Sequence, residues 1–295
     1  MIVVRLSGGL GNQLFQYAIG RRLAILNSTD LIIEDSFYVN PPNGVTPRPY
    51  ELDHYPIKAR KVTPTERVEL KTYTNVLMRL LRKYFRVPGR FIYIREGGDG
   101  FGKFSFDERH NIFLDGYWQS EKYFINIASE LREELQPNEP MTQADLVVAK
   151  KINDSNSVCL HIRRGDYVSL TSASRYHGVC DLDYYQRAIK YLANQVENPH
   201  FFIFSDDHEW AQKNLNINYP CFFVDHNGAK SAFQDLRLMS LNMHHILANS
   251  TFSWWGAWLA DRKIGGKRIV VAPKKWFAVE GHDHTDRFPE HWVLL

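Results

Sequence analysis

The stretch Ile2-Val3-Val4-Arg5-Leu6-Ser7-Gly8-Gly9-Leu10-Gly11-Asn12-Gln13-Leu14-Phe15 decides the fold class. Its β-branched beginning reads as a strand and its glycines as a turn. Leu14, Phe15, Tyr17, Ala18 and Leu23 follow as the apolar positions of a helix. A second strand is expected at 31–34, and strand-helix-strand order requires a parallel pair joined by a crossover. Further out, Pro41, Pro42, Pro47, Pro49, Pro56 and Pro64 punctuate a segment that reads as a long surface excursion. A helix-like stretch at 66–86 ends basic, Gly97, Gly98, Gly100 and Gly102 mark a loop, and a strand is expected near 112–115. Tyr123, Ile127, Leu131 and Leu135 recur every four residues among charged neighbours, the pattern of an amphipathic helix, and the Pro-rich run at 136–140 stops it.

The domain boundary is expected there, dividing the chain into residues 1–140 and 141–295. Beyond it the pattern restarts, with strands at 157–162, 201–204, 221–224, 245–248 and 268–272. Helices alternate with them at 182–195, near Glu209, at 230–242 and at 254–260. Alternation this regular predicts a second doubly wound α/β unit, with a ligand cleft between the two.

Composition excludes several classes. With 295 residues and 44% hydrophobic content the chain can build sizeable cores, and 36 Lys+Arg against 33 Asp+Glu leave a net charge of +3, too little for a duplex-binding footprint. No nucleic-acid partner is expected. No window approaches the run of about 20 apolar residues that a membrane span needs, and Arg5 interrupts the apolar start too soon for a secretion signal. Cys159, Cys180 and Cys221 are odd in number and lack metal-ligand spacing, which fits a reduced, cytoplasmic setting. The unusual figure is 14% aromatic residues, including 7 Trp.

Three segments are candidates for chemistry. The turn from Gly8 to Gln13 brings backbone N–H groups to a helix start, where a phosphate can bind, and Asn12 and Gln13 offer amides at its tip. It is neither the dinucleotide fingerprint, because Leu14 stands at the third glycine position, nor a P-loop, because it has no Lys. His161-Ile162-Arg163-Arg164-Gly165-Asp166 ends a strand, and its arginines form a clamp for a diphosphate. Strand alternation puts His161 and Arg163 on one face and Arg164 on the other, leaving one arginine for a ligand and one for a structural carboxylate such as Asp166. Asn249-Ser250-Thr251-Phe252-Ser253-Trp254-Trp255 runs from a strand into a helix, where the hydroxyls either cap the helix or bind phosphate and the tryptophans either fill a core or stack on a sugar.

Other signals have simpler readings. Asp181 and Asp183, an Asp-x-Asp pair, sit where a helix N-cap is expected. Ser205-Asp206-Asp207 lines a cleft or caps a helix, His244-His245 reads as packing, and His282-Asp283-His284 lacks further ligands. The basic stretch Arg79, Arg82, Lys83, Arg86 and Arg90 reads as a solvated helix face or as peripheral contact with an anionic membrane.

Together the segments Gly8 to Tyr17, Asp115 to Ser120, His161 to Tyr167, His177 to Cys180, Phe204 to Asp207 and Ala248 to Trp258 resemble the bacterial α-1,2-fucosyltransferases. These are inverting enzymes that move L-fucose from GDP-L-fucose to the 2-hydroxyl of a galactoside. The resemblance implies a GT-B fold of two Rossmann-like units, the acceptor on the first and the donor on the second. It implies GDP-L-fucose and a galactose-terminated oligosaccharide as partners, and no metal or other cofactor. Residue by residue, it implies Arg163 on the diphosphate, His161 and Asp235 near the guanosine, Ser250, Thr251, Phe252 and Ser253 near the phosphates, and Gly11 and Asn12 across the cleft. A base for the acceptor hydroxyl is not legible: residues 168–176 contain no acid, and Asp166 and His177 are the candidates beside Asp181, with an unassisted dissociative transfer equally open. The alternatives are a GT-B transferase for another nucleotide sugar and a non-catalytic carbohydrate-binding protein.

Overall fold

Residues 2–34 form strand β1 (Ile2–Arg5), helix α1 (Leu10–Leu26) and strand β2 (Leu31–Glu34), and β1 pairs with β2 in parallel. The computed structural model describes residues 1–42, 45–75, 91–98, 101–102, 111–165, 168, 178–228, 231–260, 268–279, 281 and 285–295. The chain divides into two compact units, Met1–Leu135 and Gln136–Leu295.

In the first unit β3 (Arg60–Lys61), β4 (Phe91–Arg95) and β5 (Asn111–Asp115) complete a sheet of order β3-β2-β1-β5-β4. Every recorded pairing in it is parallel. The continuous apolar runs of β1, β2 and β5 match this burial on two faces. Helix α1 is interior almost all round, which explains why its apolar residues follow no single stripe. Gly8 (φ +79°) turns the chain from β1 into α1 in a conformation that glycine adopts without strain.

The Pro-rich segment does not simply run over the surface. Leu52 and Tyr55 are buried, a 3₁₀ turn spans Leu52–His54, and β3 joins the sheet. Between Glu121 and Leu135 the expected single helix is two 3₁₀ turns followed by an α-helix at Ala128–Glu134, yet Tyr123, Ile127, Leu131 and Leu135 are all buried. Helix α2 (Ser36–Val39) is short. Helix α3 (Pro64–Thr74) opens on a Thr63–Glu66 capping box, and the rest of the basic stretch lies outside the described residues.

The second unit begins with helix α5 (Gln143–Asn153), which follows the Ala128–Glu134 helix, α4. The strands are β6 (Asn156–Ile162), β7 (Pro199–Ser205), β8 (Cys221–Val224), β9 (His244–Ile246), β10 (Val270–Ala272) and β11 (Val293–Leu294). Helices α6 (Leu182–Ala193), α7 (His208–Asn214), α8 (Ala232–Leu241) and α9 (Thr251–Leu259) connect them. The sheet order is β11-β10-β9-β6-β7-β8, so the unit's first strand lies between its second and its fourth. That is the Rossmann order, and its crevice opens between β6 and β9 at their carboxyl ends, where the winding reverses. Val158, Leu160 and Ile162 of β6 pack in one core with α6 and α7, whereas Cys159 packs in another with α5 and α8. Among the described residues, no helix is long and apolar enough to cross a membrane.

Candidate active site

Strand β6 delivers His161 and the two arginines to the crevice of the second unit. Alternation separates them. His161 follows Cys159 onto the α8 side, where its ring centroid lies 5.8 Å from that of Phe252. Arg164 is committed to structure, with its guanidinium 3.8 Å above the Trp210 ring and its Nε 3.2 Å from Asp207. Arg163 Nη1 pairs with Asp206 at 2.9 Å, and Asp206 also accepts the Arg164 backbone N–H at 2.8 Å. Both arginines thus take carboxylates from the end of β7, the strand registered beside β6. Asp207 in addition caps α7 by accepting from the Trp210 N–H. A guanidinium has five donors, so Arg163 can serve Asp206 and a phosphate together. Gly165 allows this closeness, because a Cβ there would stand 2.5 Å from Asp206 Oδ2.

His161 is buried, and its Nδ1 has no hydrogen-bond partner among the described residues. Burial, assisted by the Arg163 charge and opposed by Asp206, lowers its pKa to about 4. The ring is therefore neutral near pH 7. A buried polar atom without a partner is uncommon, and here it stands two residues before the arginine that Asp206 holds.

Across the crevice, the exit of β9 is built by capping. Ser250 is the N-cap of α9 and accepts from the Phe252 N–H at 3.3 Å. Thr251 and Phe252 are partly exposed in the first turn. Ser253 differs from expectation: its hydroxyl is fully buried and donates to the Ala248 carbonyl at 3.2 Å, which withdraws it from ligand contact. Asn249 donates to the Trp276 carbonyl at 3.1 Å and pins the same loop. Asp235, on α8, accepts from Asn227 Nδ2 at 2.9 Å.

The glycine turn of the first unit also departs from expectation. Gln13 is fully buried, donates to the Pro49 carbonyl at 2.8 Å and accepts from the Glu51 N–H at 2.9 Å. It fastens the Pro-rich segment rather than a ligand. The Leu10 N–H at the start of α1 is taken by the Glu51 carboxylate, whose pKa burial raises to about 7. One of the N–H groups at this helix start is thereby already engaged. Gly11 is buried in the first turn of α1, and the partly exposed Asn12 accepts from Gln119 Nε2 at 2.9 Å. Trp118 is buried against Tyr123 and cannot stack on a sugar, whereas its neighbour Tyr117 is 49% exposed.

The sequence model of Glycosyl transferase family 11 matches residues 76–295. The chain belongs to this family. It is 34% identical to an Escherichia coli alpha-1,2-colitosyltransferase, over 100% of this chain and 99% of the relative. It is 33% identical to the O-antigen biosynthesis glycosyltransferase WbnK of E. coli, over 98% of this chain and 99% of the relative. A Bos taurus galactoside 2-alpha-L-fucosyltransferase, SEC1, is 24% identical over 92% of this chain and 67% of its own length. Among solved structures, Arabidopsis thaliana FUT1 in complex with GDP superposes with a TM-score of 0.51 at 12% identity, covering 91% of this chain and 69% of the other. The fold is GT-B, with two parallel-sheet α/β units.

In this family 11 glycosyltransferase the structure brings His161, Arg163, Ser250, Thr251 and Phe252 to one crevice and sets Asp235 on the helix covering the same side. Asp166 and His177 lie outside the described residues, as do His282, Asp283, His284 and the basic stretch from Arg79 to Arg90. Asp181 caps α6 through the Tyr184 N–H and Asp183 pairs with Arg187, so the Asp-x-Asp pair makes local contacts. His244 and His245 are buried, bonded to the Ile269 N–H and the Met239 carbonyl. Glu51, Asn227 and the arginine-binding role of Asp206 escaped sequence reasoning. Only the adjacency of Asp206 and Asp207 at a strand end hinted at the last.

Proposed function

We propose that this glycosyltransferase moves L-fucose from GDP-β-L-fucose to the 2-hydroxyl of a terminal galactose, inverting the anomeric centre. The observation that carries the reading is the β6–β9 crevice, where His161, its Nδ1 without a partner among the described residues, packs against Phe252 at the capped start of α9, and Arg163, steadied by Asp206, follows at the exit of β6. Transfer develops negative charge on the departing GDP and oxocarbenium character on the sugar. A guanidinium and the first-turn N–H groups of a helix stabilise the leaving charge, and such preorganised donors add rate because they act on the transition state. Arg163 and α9 fill the counter-ion role, with no metal required. The acceptor is assigned to the first unit, at the β1 and β5 exits around Asn12, Gln119 and Tyr117.

A second donor is favoured by the 34% identity to an alpha-1,2-colitosyltransferase. Colitose is fucose without its 3-hydroxyl, so one site chemistry serves either sugar. The test offers GDP-fucose, GDP-colitose and a panel of UDP-sugars with lactose, N-acetyllactosamine and lacto-N-biose, reading nucleotide release and, by NMR, the new linkage. Release of GDP with an α-1,2 linkage to galactose is expected. Turnover with UDP-sugars alone, or linkage to another hydroxyl, overturns the reading.

A further inference from the structure

Behind Asp235 stands a chain of hydrogen bonds that the transfer chemistry leaves unexplained. It starts at Asp145, whose side chain is completely buried at the beginning of α5. Its Oδ2 accepts from the Thr142 N–H at 3.0 Å and the Thr142 hydroxyl at 2.7 Å. Its Oδ1 accepts from His226 Nε2 at 2.9 Å and from Asn227 Nδ2 at 2.9 Å. A carboxylate has about four acceptor positions, so Asp145 is saturated and cannot rotate without losing a bond.

Asn227 is the link. Its Nδ2 carries two protons, one directed to Asp145 and the other to Asp235 Oδ1 at 2.9 Å. The amide cannot be flipped, since its carbonyl oxygen would then face two carboxylates. One oxygen of Asp235 is thereby fixed, which sets the plane of the carboxylate and the direction of the other. Asp235 stands on α8, whose Leu238 and Met239 pack with Cys159, so that helix lies over the β6 side that carries Cys159 and, two residues on, His161.

We infer that Asn227 is a positioning residue for the donor's purine: anchored on Asp145, it aims the Asp235 carboxylate at the N–H edge of guanine. The inference rests on the reading of the donor as GDP-linked. Guanine presents two adjacent donors, N1–H and the N2 amino group, which one fixed carboxylate can accept together. Hypoxanthine presents only N1–H, and adenine has an acceptor at N1. The expected order of affinity is GDP, then IDP, then ADP. Supporting the geometry, burial and the Asp145 charge raise the Asp235 pKa to about 6 against the lowering effects of Asn227 and His226. Such a carboxylate gains from an added donor.

The test is calorimetric titration of the full chain with GDP, IDP and ADP, for the parent, Asn227→Ala, Asn227→Ser and Asp235→Ala. Serine has one hydroxyl proton and cannot bridge two carboxylates, and it gives a second route if the alanine variant fails to fold. A hydrogen bond to a charged group sets the scale, so the parent prefers GDP over IDP by about tenfold or more. Both Asn227 variants bring that ratio to within about threefold of unity while retaining IDP binding. Equal weakening of GDP and IDP marks a merely structural role and overturns the inference, as does an unchanged ratio. The GDP reading fails separately, when the parent binds GDP no more tightly than ADP, whereas GDP affinity left unaltered by Asp235→Ala overturns the inference alone. If Asp235→Ala collapses the ratio and the Asn227 variants preserve it, the purine stays at Asp235 and only the positioning role falls.

Discussion

Replacing Gly165 with alanine tests whether Asp206 presents Arg163 to the donor. The new Cβ would stand 2.5 Å from Asp206 Oδ2 and 3.1 Å from its Cγ, so the carboxylate must withdraw by about 1 Å to restore an ordinary contact. That carboxylate holds Arg163 at 2.9 Å and the Arg164 N–H at 2.8 Å, and a withdrawal of this size takes both beyond hydrogen-bond distance. Bonds to charged groups contribute about 1.5–3 kcal/mol each when buried. Here the side chains are 20% and 25% exposed, and solvent screening reduces the pair to about 2 kcal/mol together. If Arg163 steadies the departing diphosphate, that is about thirtyfold in kcat/KM. The assay is donor-dependent GDP release by the parent, Gly165→Ala, Asp206→Ala and the double variant. With Asp206 truncated the two close approaches vanish and the Asp206 Cβ stands at 3.8 Å, an ordinary contact, so the double variant should match Asp206→Ala within about 0.5 kcal/mol. Additive losses, or full activity in Gly165→Ala, refute the reasoning.

Three further outcomes are expected. Arg163→Lys loses about a hundredfold in kcat, because an ammonium cannot reproduce the planar fork between Asp206 and a phosphate; near-normal turnover would remove Arg163 from the mechanism. Glu51→Gln flattens the pH dependence of stability between about 4.5 and 7. The folded chain holds that proton more tightly than the unfolded chain, so the group's contribution is full below 4.5 and lost as pH rises through 7; equal slopes of urea midpoint against pH in parent and variant contradict this. Tyr117→Ala raises the acceptor KM while Trp118→Phe lowers the melting temperature with the acceptor KM unchanged, and the reverse pattern would return the sugar-stacking role to Trp118.

Much of the fold was legible because hydrophobic period is local. The expected bounds of β2 and β8 coincide with the observed ones, and the alternation after 140 resolves into parallel strands. Strand β4 was not read from the sequence although Phe91-Ile92-Tyr93-Ile94 carries strand-forming residues, because its five residues stand between a basic run and a glycine-rich loop and leave only a short signal. The two-residue strands β3 and β11 are too short to leave a periodic signal and exist through pairing with a neighbour. The aromatic excess has a plain outcome: six of the seven tryptophans are buried, and Trp210 lies under Arg164.

By itself the sequence determined which residues stand at the ends of β1, β6 and β9, since a β-branched run followed by a glycine turn or a hydroxyl cap is a local instruction. It also separated Arg163 from Arg164, because side chains alternate along any strand. The tertiary structure alone decided which polar groups were already satisfied. Gln13 meets the backbone at Pro49 and Glu51, Ser253 turns back to Ala248, and Arg163 finds Asp206 more than 40 residues away. A buried polar group needs a partner, and for the side chains that matter most here that partner comes from a neighbouring strand or loop, whose place is set by sheet order and not by nearness along the chain.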